Sequence, residues 1–191
     1  IILGFVTHDM THIPAFLIAM IAASFLLIFE DVDAIFEKVE WNTIFFFIGL
    51  FLLIGGVEAS GAISLVGDWL LKVTQGSQSI TTAAILWGSA LVAGIIGNIP
   101  YTTALAPVIA SIEAVKGAEY VHPIWWALSL GACLGGNITA IGAAANVIVI
   151  QSAARNGYII TFNQFLKYGA SMTLIAIIIS HIYLHIRYLM G

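Results

Sequence analysis

The chain has 191 residues, of which 61% are hydrophobic and only 8% are charged, and its formal net charge is −4. Soluble globular domains carry about 25% charged residues, so a water-soluble fold is excluded because it would lack a polar surface. No basic cluster is present, which argues against nucleic acid as a partner and against anchoring on an anionic lipid surface. The apolar runs are continuous, so the sequence predicts an all-α integral membrane protein.

Residues 1–79 are predicted to form scaffold and interfacial helices. Apolar runs cover residues 15–29 and 42–57, and the first is close to the length that spans hydrocarbon. Between them, residues 30–41 place apolar side chains on one face and charged side chains on the other, which predicts an amphipathic helix in the membrane interface. Residues 63–73 are moderately amphipathic.

Residues 80–115 hold two apolar arms on either side of a polar interruption that reads "GNIPYTT" and begins at Gly97. Each arm is predicted to be too short or too interrupted for an ordinary membrane span. Pro100 lacks a backbone N–H and stops or kinks a helix, while Gly97 lowers helix propensity by about 1 kcal/mol. The pattern predicts a helix that breaks and resumes.

A second interruption, "GGNITAIGAAAN", separates two half-helices that are predicted within residues 124–155. Pro123 suits the first position of such a helix. The capping-box pattern "TFNQ" then opens a short interfacial helix over residues 161–167. Residues 168–191 are predicted to form the C-terminal transmembrane helix.

Two helix breaks inside a bilayer suggest a function, because unpaired backbone groups cannot face lipid. In secondary transporters, broken helices point their ends at a midplane site, where N-termini attract anions and unwound carbonyls bind cations. The alternative is that small residues, such as Gly131 and Gly135, only let helices approach closely. Asn and Thr at both breaks favour the functional interpretation.

Four segments carry a resemblance to a known family: "VEWNTIFFFIGLFLLIGGVEASG", "GNIPYTTALAPVI", "WWALSLGACLGGNITAIGAAANVIV" and "NGYIITFNQFLKYG". They resemble the C-terminal half of the ion transporter superfamily, in the branch of arsenite efflux permeases, NhaD-type sodium/proton antiporters and the melanosomal P protein. The resemblance covers residues 31–169. It implies two inverted repeats, of which this chain would supply the second.

In that fold, residues 80–115 would be a re-entrant hairpin and residues 124–155 a discontinuous helix, both within a transport region over residues 80–167. The resemblance implies an ion site between the hairpin tip and the helix break. The candidate ion-binding residues are Asn98, Thr102, Thr103, Asn137, Thr139 and Asn146. The glycines that would let the backbone approach the ion are Gly97, Gly135, Gly136 and Gly142.

The sequence also contains acidic and histidine residues that are candidates for ion coupling or metal binding. Many cation-handling relatives resemble Asp-Asn-Ile-Pro at the tip, and Gly97 stands at that first position, which argues against a coupling carboxylate there. Glu58 follows an apolar run and is the candidate for coupling, although it could equally lie in water at the end of that run. Two further groups have a spacing that could suit a metal, but interface histidines are favoured: His8, Asp9 and His12, and the pair His181 and His185.

The sequence therefore predicts a secondary active transporter of a small inorganic ion, with an oxyanion such as arsenite favoured over sodium/proton antiport. A structural membrane subunit is the alternative from another class. An intramembrane enzyme is not expected, because neither a His-Glu-x-x-His motif nor a pair of membrane aspartates is present. No cofactor is expected beyond sodium or a proton as coupling ion. The expected partners are the bilayer, an N-terminal repeat preceding this chain and a second copy in a homodimer, in the inner membrane of a prokaryote.

Overall fold

The computed structural model describes residues 2–6, 11–29, 31–37, 39 and 41–190, and all regular structure in these ranges is helical. Two compact units divide the chain after Phe47. The protein is an all-helical integral membrane protein. Two of its described helical segments, Gln78–Ile96 and Phe162–Leu189, are long and apolar enough to cross a membrane.

The first unit contains α1 (Ile2–Val6), α2 (Ala15–Leu27) and α3 (Val32–Phe36), and α4 (Trp41–Ala59) begins in it. The amphipathic helix predicted over residues 30–41 is shorter than expected. Within its described residues, helix is confined to α3 before α4 begins.

The second unit begins with the end of α4 and continues into α5 (Ala62–Val73) after a bend of 73°. Gly61 lies at this bend with φ +76°, a conformation that L side chains rarely adopt. The bent pair is either one broken span or a re-entrant loop by length and composition.

The core of the second unit is built mainly by three helices, α6 (Gln78–Ile96), α7 (Asn98–Lys116) and α8 (Ala118–Gly135), with Ile177 and Leu184 contributed by the C-terminal helix. Ser77 caps α6 by accepting a hydrogen bond from the Ile80 N–H at 3.4 Å. The core cluster is apolar and includes Leu86, Ala90, Ala93, Ile109, Ile112, Ile124, Leu128 and Ile177.

Both arms of the segment around Gly97 are longer than the sequence predicted. Helices α6 and α7 have 19 residues each, which corresponds to about 28 Å of helix at 1.5 Å per residue. The break is confined to Gly97. Pro100 falls in the first turn of α7, where a backbone N–H has no partner within the helix, so proline costs no hydrogen bond there. The first arm is therefore a full-length helix rather than a short one.

The second break spans residues 136–143 and is followed by α9 (Ala144–Arg155) and α10 (Phe162–Leu184), which ends in a π-helical turn, His185–Leu189. The prediction that Pro123 opens a helix was wrong, since α8 begins five residues earlier, at Ala118. The capping box of Thr161 and Gln164 is confirmed. It opens one continuous helix instead of the separate interfacial helix predicted over residues 161–167, because a single glycine, Gly169, does not interrupt a long apolar helix that contains no proline.

Candidate functional site

The structure joins the two helix breaks through the backbone. The N–H of Asn98, the first residue of α7, donates to the carbonyl oxygen of Gly142 at 3.2 Å. Gly97 makes this possible with φ +95° and ψ 146°, a region that is essentially restricted to glycine. Gly142 must also be a glycine, because a Cβ at this position would lie 2.5 Å from the carbonyl oxygen of Gly136.

Two buried polar side chains hold the second break in shape. The Thr139 hydroxyl donates to the carbonyl oxygen of Gly94 in α6 at 2.6 Å. The Asn146 amide donates to the carbonyl oxygens of Gly136, at 2.9 Å, and Thr139, at 3.0 Å. Because these groups are already paired, Thr139 and Asn146 are positioned to shape the break rather than to offer their donors to an ion.

Asn98 and Thr102 are placed differently. They are four residues apart in α7 and so lie on the same helix face, and both are half-buried. Within the described ranges neither side chain forms a hydrogen bond. The neighbouring Thr103 donates its hydroxyl to the Ile99 carbonyl at 2.9 Å. Two uncommitted polar groups therefore stand on the helix that starts at the first break.

Asn98 lies close to the second break as well. Its Cβ would be 3.5 Å from a Cβ placed on Gly136. Asn137, which follows Gly136 in the chain, is exposed and lines a cavity of about 630 Å³. Asn98 does not line this cavity. Asn98 therefore lies against the second break, whereas the cavity that Asn137 lines is formed with residues of α10.

The wall of that cavity was not predicted from the sequence. It is lined from α10 by Gln164, Phe165, Tyr168, Gly169 and Met172. A Cβ on Gly169 would lie 2.3 Å from the carbonyl oxygen of Asn137, so the glycine lets α10 approach the break. Nothing local in the stretch "LKYGAS" distinguishes this glycine from one that packs against lipid.

The predicted glycines have different roles in the structure. Gly136 faces the carbonyl oxygen of Gly142, from which a Cβ would be 3.1 Å away, so it belongs to the break. Gly135 lies against α6 instead, where a Cβ would be 2.3 Å from the carbonyl oxygen of Ala90. Gly135 therefore serves the contact between α6 and α8.

Four helix ends converge on the joined breaks: the C-termini of α6 and α8 and the N-termini of α7 and α9. Helix N-termini carry partial positive charge and C-termini partial negative charge. The first turns of α7 and α9 contain no acidic residue. The partial positive charge at each of these N-termini is therefore not neutralised by a carboxylate in the first turn of its own helix.

Glu58 lies in the last turn of α4, beside the bend to α5, and is exposed. Among the described residues, no group of three or more potential metal ligands is found. His8 and Asp9 lie outside the described residues. His181 accepts a hydrogen bond on Nδ1 from the Trp87 indole at 3.3 Å, which gives it a place in the packing of α6 against α10.

The broken helices and the apolar composition are typical of membrane transporters. A family model described as citrate transporter matches residues 1–131, and the chain belongs to this citrate transporter family. The family consists of transporters, not enzymes.

Curated relatives agree with this class. An uncharacterized transporter of Mycobacterium tuberculosis is 36% identical over 189 residues, which cover 97% of this chain and 44% of the relative. The 46 kDa membrane protein of Mycobacterium leprae is 33% identical over 192 residues, covering 99% of this chain and 45% of the relative. The P protein of Homo sapiens is 35% identical over 182 residues, covering 91% of this chain and 22% of the relative.

The chain thus spans less than half the length of the curated relatives it matches. No solved structure matches it significantly. The resemblance to the ion transporter superfamily is confirmed at the level of a membrane transporter family, and P protein is among the relatives. The finer assignment to the arsenite permease or NhaD-type branch stays a prediction.

Proposed function

We propose that the joined breaks form part of the ion site of a secondary active transporter. The observation that carries this proposal is the hydrogen bond between the Asn98 N–H and the Gly142 carbonyl, which ties the breaks together. It leaves the Asn98 and Thr102 side chains uncommitted beside them. An Asn amide and a Thr hydroxyl offer both donors and acceptors without a formal charge that would have to be desolvated.

The substrate we propose is an oxygen-rich anion. The N-termini of α7 and α9 meet at the breaks without acidic residues in their first turns, and such termini favour anions, while the C-termini of α6 and α8 favour the coupling cation. The sequence interpretation favours an inorganic oxyanion such as arsenite. Citrate is the second candidate, because the family to which the chain belongs is described as citrate transporters.

Sodium/proton antiport is the third candidate, and it depends more strongly on a carboxylate that binds and releases a proton during transport. Gly97 stands at the tip, and Glu58 is exposed beside the α4–α5 bend, so neither supplies a carboxylate at the joined breaks. In our proposal sodium or a proton drives the anion as a coupling ion. The wider context we propose is a bacterial inner membrane, an inverted N-terminal repeat that completes the site, and a homodimer.

The test is flux into proteoliposomes that contain the full-length protein. Arsenite, citrate and sodium are offered separately, with the proton and sodium gradients imposed one at a time. We expect saturable uptake of one of the two anions, accelerated by one of the two gradients, and loss of this uptake in Asn98→Ala. Sodium flux exchanged for protons, without anion uptake, would overturn the anion assignment.

A matched control variant separates a transport defect from a folding defect. Asn156 directly follows α9 and is exposed, and its side chain bonds only to the carbonyl of Ser152 in that helix. Asn156→Ala should therefore leave flux unchanged. Equal flux in wild type, Asn98→Ala and Asn156→Ala would contradict a site at the breaks, and no flux of any ion in wild type would favour a structural membrane subunit.

A further inference from the structure

A polar cleft of about 540 Å³ lies at the end of the second unit opposite the breaks. It is bordered by the N-terminal turns of α6 and α8 and by the π-helical turn that follows α10. The breaks lie at the other ends of α6 and α8, about 28 Å along the helices. The polar residues that line the cleft are Gln78, Glu119, His122, Arg187 and Tyr188.

The walls of this cleft are held in place by contacts within the protein. The Gln78 amide donates to the carbonyl oxygens of Glu119, at 3.2 Å, and Tyr120, at 2.9 Å, which ties the start of α6 to the start of α8. The Tyr188 ring meets the His122 ring edge to face, with 5.2 Å between centroids. Arg187 lies over the Tyr188 ring at 5.4 Å. The cleft is therefore formed before any ligand enters.

Its two opposite charges do not neutralise each other. Glu119 and Arg187 line the same cleft, yet neither side chain forms an ion pair or a hydrogen bond within the described part of the chain. Both side chains are exposed, and a cleft that presents an unpaired carboxylate and an unpaired guanidinium is complementary to a ligand that carries both charges. Its volume falls within the range of about 300–1,000 Å³ that is typical of small-ligand sites.

The cleft also lies where membrane spans end. Helix α6 begins there, and the span Phe162–Leu189 finishes there. Tyr and Trp are enriched at such positions, and Tyr183 and Tyr188 meet there edge to face. A basic side chain at the end of a span reaches toward the headgroup layer.

The geometry points to a binding site for the headgroup of a phosphatidylethanolamine molecule. Arg187 donates charge-assisted hydrogen bonds to the lipid phosphate, and its guanidinium suits this partner because several N–H groups can share the phosphate oxygens. Glu119 accepts from the primary ammonium group. The acyl chains remain in the bilayer beside α10.

The experiment measures lipid binding to the detergent-purified full-length protein by native mass spectrometry. Short-chain phosphatidylethanolamine, phosphatidylcholine and phosphatidylglycerol are titrated separately, together with free phosphoethanolamine. We expect phosphatidylethanolamine to bind most tightly. Arg187→Gln should weaken its binding about tenfold or more, and Arg187→Lys should restore part of it. Glu119→Gln should weaken phosphatidylethanolamine but not phosphatidylglycerol.

The matched control is Lys167→Gln. Lys167 lies on α10 and also faces the ring of the following tyrosine, at 5.9 Å, but it does not line the cleft. The Lys167→Gln substitution should leave lipid binding unchanged. An equal loss in Lys167→Gln, or unchanged binding in Arg187→Gln, would overturn the site. Free phosphoethanolamine binding as tightly as the lipid would overturn the lipid assignment in favour of a soluble ligand.

Discussion

At the scale of single residues, Asn146 is the side chain that most directly maintains the second break. It is buried, and its amide bridges the carbonyl oxygens of Gly136 and Thr139. Asn146→Ala leaves both acceptors without this donor, and a buried group left unpaired costs about 1–3 kcal/mol. We expect a lower thermal unfolding midpoint in detergent. Asn156→Ala, at the exposed C-cap of the same helix, should unfold as wild type does, and equal midpoints for the two variants would refute the bridging role.

Thr102 and Thr103 are adjacent but are predicted to differ in function. The Thr103 hydroxyl is paired with the Ile99 carbonyl, whereas that of Thr102 has no partner within the described ranges. Replacing a ligand hydroxyl removes about 1–3 kcal/mol of interaction, or roughly 5- to 150-fold in affinity. Thr102→Val should therefore weaken binding of the transported ion by this factor, while Thr103→Val should have little effect.

Equilibrium binding to the purified variants measures the difference. The two substitutions remove the same hydroxyl from the same helix, so a general effect of valine on α7 would appear in both. An equal loss in both variants would assign the effect to the helix rather than to an ion contact.

At the scale of elements, the approach of α6 to α8 depends on glycine. A Cβ on Gly135 would lie 2.3 Å from the Ala90 carbonyl oxygen and 2.5 Å from its Cα, and backbone atoms cannot move aside as a flexible side chain can. A Cβ on Gly88, in α6, would have no neighbour within 4 Å. Gly135→Ala should push the helices apart and lower the unfolding midpoint by several degrees, whereas Gly88→Ala should be neutral or slightly stabilising.

Thermal unfolding of the two variants side by side is the measurement. Because alanine is the better helix former, any destabilisation of Gly135→Ala reports on the helix contact and not on helix propensity. A stable Gly135→Ala protein would show that the close contact is not required.

Much of this element pattern was predictable, for identifiable reasons. The apolar runs predicted where helices lie, and the Thr161–Gln164 capping box marked the start of α10 because its signal is local. The width of the first break was not predictable in the same way. The polar residues after Gly97 predict irregular backbone, but Asn98, Pro100 and Thr102 are all accommodated in α7.

The candidate site shows a similar division. The sequence predicted both breaks, because Gly, Asn and Thr interrupt otherwise apolar runs there. It could not distinguish Asn146, whose amide is consumed by two carbonyls, from Asn98, whose side chain has no partner in the described ranges. That distinction depends on tertiary hydrogen bonds, as does the role of Gly169 beside Asn137.

At the scale of the whole molecule, the chain covers 44% of the Mycobacterium tuberculosis transporter it matches. If the ion site is completed by an inverted repeat, these 191 residues alone leave the breaks lined on one side only. We expect liposomes that contain only this segment to show no substrate flux, and liposomes that contain the full-length protein to show it. Flux from the segment alone would contradict the need for a second repeat, unless crosslinking shows that two copies pair as an inverted dimer.

The central claim is that the two breaks contribute to one ion site. Asn98 follows the first break and lies against Gly136, while Asn137 lies within the second break and lines the cavity toward α10, so a shared site must reach from Asn98 to that cavity. The direct measurement is a double-mutant cycle on ion affinity in the full-length protein, with Asn98→Ala, Asn137→Ala and the double variant. Residues that share a site couple, so we expect each single variant to weaken binding about 5- to 150-fold, and the double variant to differ from the sum of the two effects by at least about 0.5 kcal/mol. Wild-type affinity in both single variants, or strict additivity, would contradict a shared site.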